Sequence, residues 1–335
     1  MQRLVTYKNG NYTVKLNTQT GTKIRENNCD CFIPYTVESM DIKITNRCDR
    51  GCTMCHENST VDGKHADLRS PSFLDVLHPY TELAIGGGNP LEHPDLEWFL
   101  QKCKEKQFIP SMTVNQYHFE KEFVRIKKLY DEKLIYGLGI SLVNPTTEFI
   151  EKVKQIPTAV IHIIAGLVSD KQLYALRNNG LKILVLGYKK VRRGSDLYDK
   201  QGVLVDIGIN NLHKLLPKMM YEKWFEVISF DNLALNQLNV KDIVGEQIFN
   251  EHYMGDDGFD GDMTSASMFV DMVERVYAKN SCDMTRYPIK DTIEEMYNSL
   301  RNYNILGVDL ARGSDFTVDN KIFLEDLRLE QLEQM

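Results

Sequence analysis

Two hydrophobic patterns follow one another along this chain. Between residues 4 and 16, two β-rich arms flank Asn9-Gly10, a dipeptide strongly favoured in two-residue turns, which predicts a β-hairpin appendage over residues 1–34. From there, short apolar runs at residues 40–45, 83–87, 111–115, 135–142, 159–164 and 181–186 alternate with amphipathic stretches. The runs read as strands buried on both faces, and the stretches at 95–106, 120–132 and 171–179 as helices. The last helix has Ser169 as a plausible N-cap and Gly180 as a stop. Strands alternating with helices give right-handed βαβ units and a parallel sheet. A strand at 225–230 extends it. Beyond residue 235 helical signals take over, as at 267–279 and 291–301, so a mostly helical region is expected over 236–335.

In parallel α/β sheets, ligands bind at the carboxyl ends of the strands, which makes the segment after each strand informative. After the first comes Cys48-Asp-Arg-Gly-Cys52-Thr-Met-Cys55, three thiols at C-x3-C-x2-C spacing. Iron-sulfur clusters are usually held by four Cys thiolates, so three in one loop leave one iron free to take a small molecule. The alternative is a structural zinc site completed by His56 or by one of Cys29 and Cys31. Zinc ligands usually come as two separated pairs, which this spacing does not offer.

Cys48, Cys52 and Cys55, with Ser39-Met-Asp-Ile-Lys-Ile-Thr45 before them, resemble the signature and first strand of the radical SAM superfamily. Met54 stands where that family usually has an aromatic residue. The resemblance implies a partial (β/α)6 TIM-like barrel over residues 35–235, and a 4Fe-4S cluster whose open iron is chelated by S-adenosyl-L-methionine. It further implies that a reductant such as flavodoxin or ferredoxin drives cleavage of that molecule to a radical that abstracts hydrogen from substrate. Ile85-Gly-Gly-Gly-Asn-Pro-Leu-Glu-His-Pro-Asp95 is similar to the family's glycine-rich motif, with Gly87 and Gly88 as the matching glycines and Asn89 where Glu is usual. These residues would receive the ammonium group. Asn115, with Gln116, and Ser141, with Asn144, lie at later strand ends, and the resemblance makes Ser141 a candidate for the ribose hydroxyls. His162, inside an apolar strand, reads as a hydrogen-bonded barrel residue.

Charge sharpens this picture only locally. The 40 basic and 47 acidic residues give a net charge of −7, which argues against a chain that coats nucleic acid or anionic membrane. Against that background Gly187-Tyr-Lys-Lys-Val-Arg-Arg-Gly194 places four cations at a strand end, a candidate anion site with Lys189 foremost. It favours an anionic small molecule such as a nucleotide as substrate, with a peptide the close competitor. The chain's N-terminus has no signal-peptide pattern and no apolar run is long enough to span a bilayer, so a soluble, cytoplasmic protein is expected. Seven cysteines, an odd number, fit a reducing compartment. Cys103 and Cys282 suggest no second cluster. The acidic Gly255-Asp-Asp-Gly-Phe-Asp-Gly-Asp262 lacks the EF-hand spacing for calcium and reads as a mobile loop. Outside enzymes, the sequence leaves open a non-catalytic zinc or iron-sulfur binding protein.

Overall fold

The computed structural model describes residues 4–28, 32–69, 72–252, 265–301 and 317–319. The expected hairpin forms from β1 (Leu4–Asn9) and β2 (Tyr12–Asn17), and β3 (Lys23–Glu26) adds to it antiparallel. Its turn lies one residue later than the sequence suggests: Asn9 pairs with Tyr12, leaving Gly10 and Asn11 as the loop. The shift has two causes. A Cβ at Gly10, where φ is +61°, would stand 1.9 Å from the Ile33 carbonyl oxygen. Asn9 is drawn into the strand because its amide donates to Thr36 O (3.0 Å) while its Oδ1 accepts from the Tyr35 and Thr36 N–H groups.

The chain then reaches Glu38, whose buried carboxylate ties this small sheet to the rest of the molecule. It accepts from Arg25 (Nη2, 3.0 Å), Lys23 (3.3 Å), Asn9 (3.3 Å) and the Tyr12 hydroxyl (2.5 Å). Burial works to raise its pKa, but Lys23 and Arg25 outweigh it and hold the group below the ordinary carboxylate value.

Seven parallel strands follow in order: β4 (Ser39–Thr45), β5 (Glu82–Gly87), β6 (Ile109–Asn115), β7 (Gly137–Ser141), β8 (Ala159–Ile164), β9 (Lys182–Leu186) and β10 (Val227–Phe230). On the other side of β4 the sheet continues with β11 (Ser267–Asp271), parallel to β4, then β12 (Val276–Ala278) and β13 (Tyr287–Pro288), both antiparallel. The small sheet gains a fourth strand, β14 (Thr317–Asp319), beside β1. The helix expected at 267–279 is therefore the β11–β12 hairpin. Asp271 turns the chain by accepting the N–H groups of Val273 and Glu274 (3.0 Å each), and Arg275 takes the left-handed conformation (φ 56°). The rest of the region after residue 235 includes the short helices Val240–Val244, Glu246–His252 and Ile293–Ser299.

The ten-stranded sheet curls. Lys189, just after β9, donates to Ser281 Oγ at 3.0 Å, although β9 and the β12 that precedes Ser281 are each second from opposite edges. Outward positions, among them Ile42, Ile85, Val114, Ile140, Ile161 and Val185, pack with Phe99, Phe119, Phe149 and Leu173 of the covering helices. The alternate positions face the concave side. Here the expectation of strands buried on both faces fails: β6, β8 and β9 alternate buried with half-buried residues. Their second face lines an open lumen rather than a filled core. Among the helices, Asp170–Leu176 begins with the anticipated Ser169 cap, completed to a capping box by Gln172. No described helix is long and apolar enough to cross a membrane.

Candidate functional site

The cysteine loop leaves the carboxyl end of β4 and is held by bridges between Thr45 and His65 and between Arg47 and Thr60. Cys48 donates its N–H to Thr60 O (2.8 Å), and Cys55 donates to Cys52 O (3.3 Å). All three thiols are free and half-buried. Burial raises the pKa of Cys48 and of Cys52, and the charges of neighbouring thiolates, Cys52 and Cys55 on Cys48 and Cys55 on Cys52, raise them further. The three thiols thus share one loop and lie near enough for their charges to raise one another. Such a donor set fits a metal centre, because a cation removes the repulsion and favours the thiolate form.

The glycine segment after β5 sits against this loop. Gly88 and Asn89 donate their N–H groups to Thr45 O and Arg47 O, both at 2.7 Å. A Cβ at Gly87 or Gly88 would stand 2.4 or 2.2 Å from those same carbonyl oxygens, so the glycines permit backbone-to-backbone contact. Beside Gly86 there is open space. Asn89 is buried and caps the 3-10 helix Pro90–Glu92 through its Oδ1, while its Nδ2 donates to Glu92 Oε1 (3.2 Å). A cavity of about 280 Å3 opens here, between Arg47, Asp49, Asn89, Leu91 and His118. Two of its lining residues have Cys48 as a neighbour: Cys48 Sγ, an Asp49 carboxylate oxygen and a His118 ring nitrogen lie within 4.8 Å of one another.

Asn115, Ser141, His162 and Leu184 stand in register across β6, β7, β8 and β9, facing the lumen. The structure therefore brings Asn115 and Ser141 together. The Asn115 side chain caps the helix Gln116–Lys121 by accepting from Tyr117 N (2.9 Å). Gln116 fastens the next loop, accepting from Val143 N and Asn144 N and donating to Asn144 O. The His162 ring makes no hydrogen bond with another described residue, contrary to expectation, because it lies over the bare backbone of Gly139 instead of against a polar partner. Burial drives its pKa down to about 4.

The basic run is neither a solvated loop nor a bare cluster of cations. Arg192 donates to His56 O and Arg193 to Ser59 O, both at 2.5 Å, gripping the cysteine loop. Lys190 lies over the Tyr198 ring. Lys189 reaches across to Ser281, and Arg286 donates to the Ser281 carbonyl (2.8 Å) while its Nη1 is buried without a partner. Beneath them Lys43 is held between Glu57 and Asp271, 2.9 Å from each. Sequence reasoning missed Asp41, Lys43 and Asp271. The available signal was two charges, Asp41 and Lys43, alternating with isoleucine in a central strand. Cys103 is buried on a helix and Cys282 is half-buried beside Ser281. Cys29, Cys31 and the segment 255–262 lie outside the described residues, and His56 pairs with Glu57 (3.3 Å).

No family model matches the sequence, and no curated protein matches it. Solved structures do. SuiB of Streptococcus suis bound to precursor peptide SuiA superposes with a TM-score of 0.58 at 13% identity, covering 90% of each chain. SuiB bound to S-adenosylmethionine gives 0.58 at 13% identity, covering 89% of this chain and 87% of that one. A further SuiB structure gives 0.55 at 12% identity, covering 92% and 89%. At such identities the likeness is one of fold, and it spans nearly the whole of both chains.

Proposed function

We propose that this chain is a radical SAM enzyme, with residues 35–235 as its core. In this reading Cys48, Cys52 and Cys55 hold a 4Fe-4S cluster, and Gly87, Gly88, Asn89, Asn115, Ser141 and Lys189 surround S-adenosyl-L-methionine. When bound and reduced, by a flavodoxin or ferredoxin in a reducing cytoplasm, the cluster would supply the electron that cleaves that molecule. The observation that supports this most is the position of three half-buried thiols on the loop that leaves the carboxyl end of the first parallel strand. The fold is shared with a protein whose structure contains S-adenosylmethionine.

The chain's own residues have definable tasks. Gly87 and Gly88 keep the two loops in backbone contact, Arg192 and Arg193 fix the cysteine loop from the opposite side, and the lumen receives the substrate. A peptide is the substrate class we favour, since SuiB, alike over nearly its full length, is bound to one. An anionic small molecule is the second reading, favoured by the unpartnered Nη1 of Arg286 beside Lys189.

Anaerobic reconstitution tests the proposal. Wild-type protein is expected to show 4Fe-4S absorption and, on reduction with S-adenosylmethionine, to release 5′-deoxyadenosine. Alanine at Cys48, Cys52 or Cys55 should abolish both, because two thiolates hold a cluster poorly. Purified protein carrying one zinc and no iron or sulfide would instead establish the non-catalytic metal-binding reading.

A further inference from the structure

The loop between Cys48 and Cys52 carries two adjacent opposite charges, Asp49 and Arg50, and adjacent residues of the helix Gln116–Lys121 hold them. A His118 ring nitrogen bonds to Asp49 Oδ1 at 2.6 Å, and the Arg50 guanidinium lies over the Tyr117 ring, 4.3 Å from its centre. The two rings meet edge to face, with their centres 5.5 Å apart. The helix has a firm base, since Asn115 caps it and Gln116 accepts from Val143 N and Asn144 N at 2.8 Å. His118 is buried, while the Asp49 side chain is 45% exposed.

Charged side chains on an exposed loop are free to turn to water, and fixing them costs entropy that a surface contact barely offsets. Here each is fixed beside the thiols. An Asp49 carboxylate oxygen lies within 4.8 Å of Cys48 Sγ. The Arg50 charge acts on Cys52, and the Arg50 backbone N–H donates to the Cys48 sulfur. Net charge and hydrogen bonds to sulfur are among the determinants of an iron-sulfur cluster's reduction potential. A fixed negative charge opposes an incoming electron, and a fixed positive charge favours it.

We propose that Asp49 and Arg50 set the reduction potential of the cluster, Asp49 lowering it and Arg50 raising it, with His118 and Tyr117 as the residues that position them. His118 keeps the Asp49 carboxylate at Cys48 despite its access to water, and Tyr117 gives the Arg50 guanidinium a ring face to lie on. A clamp that only shaped the loop would be indifferent to the sign of each charge, whereas a potential is not. The inference rests on reading Cys48, Cys52 and Cys55 as the ligands of a 4Fe-4S cluster.

The test is a redox titration of the anaerobically reconstituted full-length chain, followed by the bleaching of its cluster absorption, with iron and sulfide counted in every variant. Asp49→Asn, nearly the same shape without the charge, should raise the ratio of reduced to oxidised cluster at a fixed potential about threefold, the effect of a unit charge a few ångströms away in water. Arg50→Gln should lower it by a similar factor, and the double variant should return close to wild type. His118→Leu should move the ratio in the same direction as Asp49→Asn by a smaller step, and Tyr117→Leu in the same direction as Arg50→Gln. Shifts of one sign in both charge variants, or none in either, would mark Asp49 and Arg50 as structural and overturn the proposal while leaving the cluster in place. A wild-type chain that assembles no cluster would instead overturn the enzyme reading, and the inference with it.

Discussion

Glu38 and Asp41 stand three residues apart on the same stretch of chain, yet one has gathered four side-chain partners and the other has none. Glu38 lies where two sheets meet, and every donor around it serves to join them. Asp41 lies three residues further along, exposed on the lumen face between Phe269 of β11 and Ala84 of β5. A carboxylate on this stretch is thus either a buried fastener or an exposed lumen group, and the two differ in whether the surrounding sequence supplies donors.

Each prediction tests one side of that contrast. The largest effect on stability belongs to Glu38→Ala, which removes the buried acceptor that Lys23, Arg25, Asn9 and Tyr12 share and should cost about 3 kcal/mol in urea denaturation. Because the Glu38 pKa is lowered in the fold, its contribution is present above the unfolded value near 4.5 and fades as pH falls through the lower folded one. Glu38→Gln should therefore flatten the acid limb of the stability curve, and an unchanged limb would remove Glu38 as the fastener. Next comes Gly139→Ala, whose methyl group must push the His162 ring aside, costing about 1–3 kcal/mol and moving the His162 titration upward from about 4 as the ring is exposed. An unchanged histidine spectrum would show that the ring has somewhere else to go. Asn89→Ala should cost about 1 kcal/mol through its lost cap, with Asn89→Asp retaining stability. If Asn89→Asp is as unstable as Asn89→Ala, the cap is not what Asn89 contributes.

The strands were legible because their outward faces are apolar at every second position, and the cysteine loop because its spacing is unlike any structural motif. Residues 267–279 were misread for a definite reason. Phe269, Met272, Val273 and Val276 follow helical spacing, while Met268, Val270 and Tyr277 suit strands equally well. The tie is broken by Asp271, which seeds a turn, and by β4, whose edge needed a partner. Neither is visible in a local window. The Gly10 turn slipped by one residue because its cause, the Ile33 carbonyl, lies more than twenty residues away. The basic run was legible as charge but not as geometry, since its arginines are spent on the carbonyls of His56 and Ser59. Asp41 was overlooked because a lone acid in a strand carries no spacing signal.

The contact between Lys189 and Ser281 bears on size. In a closed barrel, strand number and shear fix the girth, and widening it would tear a ladder of backbone hydrogen bonds. Here the two flanks of the sheet are clasped at that point by a lysine and a serine, held by side-chain geometry alone. The circumference can therefore yield there by the length of a flexible side chain at little energetic cost.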